Sequence, residues 1–204
     1  MFNKLATKES VEKTKLALEA NGFKVLLAKN GAEAKAKALE IIPKSAEVMT
    51  MTSITNDTIG LNREINESGN FNSVRAKLAE LGADKSKGRE MKRLGAAPEY
   101  TTGSIHAVTE DGKILVASNT GSQLGAYAYG AGNVIWVIGA QKIVKDLDRG
   151  MQRVYDYVLP LESERANKAY GITSGSFVSK LLIVHREITP DRIHVIIVNE
   201  ALGF

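Results

Sequence analysis

Apolar residues recur along this chain at a helical and at a strand-like spacing, and the two patterns alternate from the start. Ile143, Leu147, Met151, Val154 and Val158 stand four, four, three and four apart. That stripe predicts a helix from Lys142 to Val158, with Pro160 just past its end. Val134-Ile135-Trp136-Val137-Ile138 is apolar throughout instead, as a strand covered on both faces of a parallel sheet should be.

The first half reads the same way. Thr7 can cap a helix to Ala20 that Gly22 stops, and Phe23 to Ala28 reads as a strand. Asn30 and Glu33 resemble a capping box for a helix with Ala34, Ala38, Ile41 and Ile42 on one face, ended by Pro43. Glu47 to Met51 is the second strand; it opens into Thr52-Ser53-Ile54-Thr55 and a helix with Leu61 and Ile65 inward. From Glu67 to Gly95 the chain is more polar, with one helix marked by Val74, Leu78 and Leu81. Ala83 to Leu94, poor in apolar anchors, is expected to be an exposed, mobile connection or a flap over a site.

Later, Ser104–Thr109 and Lys113–Ser118 flank Glu110-Asp111-Gly112, a hairpin with an Asp-Gly turn. A Gly- and Ala-rich helix from Ser122 to Tyr129 precedes the Trp136 strand. Leu181–Val184 and Ile193–Val198 complete the sheet, with Thr189-Pro190-Asp191 as a turn. The expected fold class is α/β: one domain over residues 1–204, a mostly parallel sheet flanked by helices, and an antiparallel hairpin inserted in its middle.

Composition narrows the chemistry. The 204 residues include no Cys, which excludes a disulfide framework, thiol catalysis and cluster ligation by this chain's own thiolates. No apolar run reaches the roughly 20 residues of a membrane span, and Met1 to Ser10 lacks a signal-peptide core, so a cytoplasmic protein is expected. The net charge of +4 suits a small anionic metabolite. The basic run Lys85, Lys87, Arg89, Lys92 and Arg93 is broken by acidic residues and carries no interleaved aromatics, so no nucleic-acid partner is expected.

Open α/β sheets bind ligands beyond the carboxyl ends of their strands. Here those positions carry Ser53 and Thr55; then Thr102, Gly103 and Ser104; then Asn119, Thr120, Gly121, Ser122 and Gln123; then Gly139 and Gln141. Hydroxyls and helix-start amides of this kind suit an anion. Each loop also has a plainer reading as a tight turn or a helix cap; the shared chemistry of four loops on one rim carries the argument. Glu200, at the exit of the last strand, and Lys142, where the long helix is expected to start, are the candidate catalytic pair. Their plainer reading is solvation, or pairing with each other. No G-x-G-x-x-G spacing and no G-K-[ST] is present. His106, His185 and His194 lack a metal-ligand spacing and read as core or surface residues, and no metal is expected.

Several stretches resemble the LUD-domain, or lactate-utilisation, proteins. They are Thr102 to Gly112, Asn119 to Gln123, Val134 to Leu147 and Asp191 to Phe204, firm over residues 97–158 and 190–204 and looser over 1–96. The resemblance implies a fold similar to the sugar-phosphate isomerase and CoA-transferase superfamily. It also implies a role in bacterial L-lactate oxidation to pyruvate beside iron–sulfur partner subunits, with no cofactor in this chain, and it leaves a homo-oligomer open. Related proteins often carry cysteines where this chain has Ala169 to Ser176, so any cluster belongs to a partner. Three functions stay open: a lactate-utilisation component, an independent enzyme on a sugar phosphate or CoA ester, and a non-catalytic ligand-binding module. Iron–sulfur partners favour the first, turnover by the chain alone the second, and binding without turnover the third.

Overall fold

The apolar strands are buried on both faces because helices and a second sheet cover the first. The computed structural model describes residues 2–82, 84–171 and 173–204. In chain order the elements are α1 (Lys8–Ala20), β1 (Lys24–Ala28), α2 (Gly31–Ile41), β2 (Glu47–Thr50), α3 (Ile54–Thr58), α4 (Leu61–Glu67), β3 (Asn72–Ser73), α5 (Val74–Leu81), α6 (Gly88–Ala96) and β4 (Tyr100–Gly103). There follow β5 (Ala107–Thr109), β6 (Ile114–Ser118), β7 (Asn133–Gly139), β8 (Ile143–Val144), α7 (Leu147–Arg153), α8 (Leu159–Tyr170), β9 (Lys180–Val184) and β10 (Ile193–Val198). The caps are local chemistry: Thr7 accepts from the Ser10 amide and Asn30 from the Glu33 amide, while Glu33 reaches back to the Lys29 N–H.

Six strands form a parallel sheet in the order β1-β10-β7-β4-β2-β3. Side-chain alternation sorts its central strands into two cores. Val134, Trp136, Ile138, Val195 and Ile197 join one core with α1 residue Leu18 and with Val108, Ile114 and Val116 of the second sheet. Ile135, Val137, Ile196 and Val198 face Ala34 and Ala38 of α2 and Leu61 and Ile65 of α4.

The hairpin β5–β6 forms, but it does not lie within the parallel sheet. It belongs to a second sheet, β8-β5-β6-β9, and β9 pairs antiparallel with β6 instead of completing the first sheet. Gly112 turns the hairpin at φ +82°, a conformation that favours glycine, and a Cβ there would meet the Ala17 carbonyl. The far face of this sheet, Ala107 and Leu115, packs with Val144 and Val154.

The long helix differs from its sequence reading at both ends. Ile143 belongs to β8, and Asp146 caps α7 by accepting from the Arg149 amide, so Lys142 ends a short 3-10 turn and does not open the helix. Past Val158 the helix continues, because a π turn over Val154–Val158 joins α7 to α8 and places Pro160 in the first turn of α8. There its missing N–H costs little, since the i→i−4 ladder is already broken. The Ala83–Leu94 segment forms a 3-10 turn, Lys85–Lys87, and most of α6, with Leu94 against the first core. Ala83 lies outside the described residues, and no described residue of this segment lines the cavity below.

Candidate functional site

At the carboxyl end of the parallel sheet, where it meets the second sheet and the long helix, lies a cavity of about 350 Å³. The loops after β2, β4 and β7 bring Ser53, Thr55, Ser104 and Lys142 to it. The β6 exit brings Asn119, Thr120, Ser122 and Gln123. The apolar part of the lining includes Val154, Val158, Leu159, Phe177 and Phe204. The cavity's acidic lining residue, Glu162, is held by the Arg165 guanidinium through two bonds of 2.7 Å.

Lys142 is 2% exposed, and its Nζ lies 3.1 Å from Thr55 Oγ1, 3.0 Å from Ser104 Oγ and 3.1 Å from the Ile105 carbonyl. All three partners are neutral. Burial, and then the nearby Arg153 charge, push the amine well below the ordinary lysine range. Arg153 is itself fully buried; it donates to the His106 carbonyl and lies over the Tyr157 ring. Its Nε and Nη2 have no partner among the described residues, and burial lowers its pKa to about 10. Neither cation has a carboxylate within ion-pair distance among the described residues.

His106 completes the cluster. Its Nδ1 accepts from the Ala117 amide at 3.0 Å, so Nε2 carries the proton of a ring that lines the cavity. Burial, Lys142 and Arg153 lower its pKa to about 3, which keeps the ring neutral. The sequence reading set this histidine aside as core or surface; its alternation with Ser104, two residues earlier on an extended stretch, was the available signal. Arg153 was missed because it sits beside Val154 in a stripe judged by its apolar members.

Of the rim residues singled out in the sequence, six stand behind the cavity and do not line it. Thr102 is buried with an unpartnered hydroxyl, and Gly103 gives way to the Tyr127 hydroxyl, which would lie 1.7 Å from a Cβ there. The Gly121 amide donates to Ser118 Oγ, and Gly139 is closed in by the Glu200 carbonyl and the Leu202 amide. Gln141 Nε2 donates to the carbonyls of Leu202 and Gly203, fastening the segment that ends in Phe204. Glu200 neither faces Lys142 nor lines the cavity: its Oε2 accepts from the Gly31 amide at 2.9 Å, at the start of α2. From the stretch Ala169 to Ser176, Gly175 and Ser176 line the cavity, while Ile172 lies outside the described residues.

A buried amine without a counterion, a set of hydroxyls and a neutral imidazole N–H line the cavity and can hold an anionic oxygen and exchange a proton with it. Among the described residues no three His, Asp or Glu gather to hold a metal ion, and no helix is long and apolar enough to cross a membrane. The family model described as LUD domain matches residues 11–198. A crystal structure of a DUF162 family protein from Deinococcus radiodurans is similar, at a TM-score of 0.60 and 13% identity, covering 96% of this chain and 100% of that one. Among curated proteins no sequence matches the chain.

Proposed function

This chain belongs to the LUD-domain family, and from that premise we propose that it binds a small carboxylate metabolite in the Lys142 cavity as a cytoplasmic component of bacterial L-lactate oxidation to pyruvate. The observation that carries the reading is Lys142 itself, a buried amine at a cavity that no carboxylate of the described chain neutralises. Burial without a counterion disfavours the charged amine, and an anionic ligand restores its charge by acting as the missing partner. The volume of about 350 Å³ accommodates a short-chain acid and lies at the small end of ligand pockets. The hydroxyls around it suit the oxygens of lactate or pyruvate.

The test is calorimetric titration of the purified protein with pyruvate, L-lactate and inorganic phosphate. A carboxylate that binds to wild type but not to Lys142→Met supports the reading; heats that the substitution leaves unchanged overturn it. The place in lactate oxidation is tested separately, by co-purification from the native host. Iron–sulfur subunits retained with the chain support it, and recovery of the chain alone overturns it.

A further inference from the structure

The three contacts at Lys142 are compatible with two protonation states, and the states differ in where one hydrogen lies. Thr55 Oγ1 is 3.1 Å from the Leu202 carbonyl and spends its hydrogen there, and the Ile105 carbonyl is an acceptor only. Lys142 therefore donates to both. The third contact is Ser104, whose Oγ also lies 2.7 Å from the Val137 carbonyl. With an ammonium, Ser104 donates to Val137 and accepts from Lys142. With a neutral amine, the Lys142 lone pair has one group left to accept from, the Ser104 hydroxyl. Burial without a counterion favours the neutral amine.

We propose that Ser104 and Lys142 form a nucleophile–base pair that cleaves small acyl esters or thioesters in this cavity. The pair is in direct contact at 3.0 Å, within reach for proton transfer, and the base is oriented by Thr55 and the Ile105 carbonyl. Ser104 Oγ attacks the acyl carbon while its proton passes to Lys142 Nζ. The carbonyl becomes an oxyanion, which the His106 Nε2–H is free to meet. Collapse expels the alkoxide or thiolate, which takes the proton from Lys142. Water, deprotonated by the same amine, then attacks acyl-Ser104; collapse breaks the acyl–Oγ bond, Ser104 Oγ takes the proton back from Lys142, and the carboxylic acid is released. The sum is ester plus water giving acid plus alcohol or thiol. The proposal rests on the reading of the cavity as a carboxylate site, since the released acid is the anion that Lys142 would hold.

The experiment exposes the full chain to diisopropyl fluorophosphate and follows the adduct by peptide mass spectrometry, with p-nitrophenyl acetate hydrolysis in parallel. The expected result is one adduct, on Ser104, lost in Ser104→Ala. Labelling should slow about a hundredfold or more in Lys142→Met, the usual worth of a general base. An unlabelled wild-type protein, an adduct elsewhere, or equal rates in Lys142→Met overturn the proposal. Ser104→Ala removes one hydroxyl and tests it even where Lys142→Met does not fold. Pyruvate binding without any adduct would sink the Ser104 chemistry alone and leave the binding site standing, so the two failures are distinguishable.

Discussion

Two clusters of buried and half-buried polar groups lie at the carboxyl end of one parallel sheet and are built on opposite plans. At the β10 exit, Glu200 accepts from the first amide of α2, and Gln141 donates to the carbonyls of Leu202 and Gly203. Charge there meets a helix N-terminus, and the segment is tied down. At the β7 exit, facing the second sheet, Lys142 and Arg153 are buried beside a neutral His106 with no carboxylate on either cation. The first cluster is complete in itself; the second is one anion short. The contrast teaches that position at a strand end does not make a charged residue functional, because the neighbouring element decides whether the charge is already spoken for.

The strongest test of the contrast removes the amine that has no counterion. Lys142→Met keeps the volume and deletes the amine that a bound carboxylate would hold as an ammonium, so affinity for the carboxylate should fall by about 2–3 kcal/mol, roughly a hundredfold, the usual range for a hydrogen bond to a charged group. Melting temperature should move far less than affinity, since the apolar replacement also relieves the desolvation of a buried amine while leaving the Ile105 carbonyl without its donor. A large loss of stability with unchanged affinity would make Lys142 a structural tie, like Gln141.

The next effect is on pH dependence. Burial and two cations depress the His106 pKa from the ordinary 6.5 to about 3, so unfolding takes up a proton between those limits. The stability that neutral His106 contributes is complete above pH 6.5 and is lost as pH falls towards 3. From pH 6.5 to about pH 5 the loss should approach about 2 kcal/mol. His106→Asn, whose Oδ1 can still accept from Ala117, should flatten the denaturation midpoint over that interval. His194, half-buried and also depressed, titrates in both proteins and cancels in the difference. Parallel curves for the two proteins would place His106 outside the charged cluster.

The sequence made the first cluster's scaffold readable and the second cluster's content largely not. β7 and β10 are apolar runs whose burial on two faces follows from local composition, and Asn30 announces α2. Lys142 was readable as a strand-end residue, but its burial depends on the second sheet, which pairs β5 with β8 and β6 with β9. Those pairings join segments dozens of residues apart, and no periodicity encodes them. The same gap hid Arg153, whose guanidinium meets the His106 carbonyl 47 residues away, and the contact of Glu200 with Gly31, 169 residues away in sequence.

Thr55 touches both clusters, since its hydroxyl meets the Leu202 carbonyl on one side and Lys142 on the other. Thr55→Val keeps the shape and removes both bonds, at an expected cost of about 1–1.5 kcal/mol in chemical denaturation. If the clusters are joined there, Thr55→Val and Lys142→Met together should cost less than the sum by about 0.5–1 kcal/mol. Strict additivity would mean that the two clusters are energetically separate.

The smallest expected effect belongs to Glu200→Gln, and its sign matters more than its size. Glutamine keeps an oxygen that can accept from Gly31, so the hydrogen bond survives and only the interaction of a charge with the α2 N-terminus is lost. That interaction contributes about 0.3–1 kcal/mol and weakens with salt. The variant should therefore be slightly less stable at low ionic strength, match wild type in high salt, and bind the carboxylate with unchanged affinity. Its carboxylate is spent on a helix, whereas Lys142 has nothing of opposite charge to spend itself on. A drop in carboxylate affinity in Glu200→Gln, with stability unchanged at either salt concentration, would reverse the assignment and bring β10 back into the site.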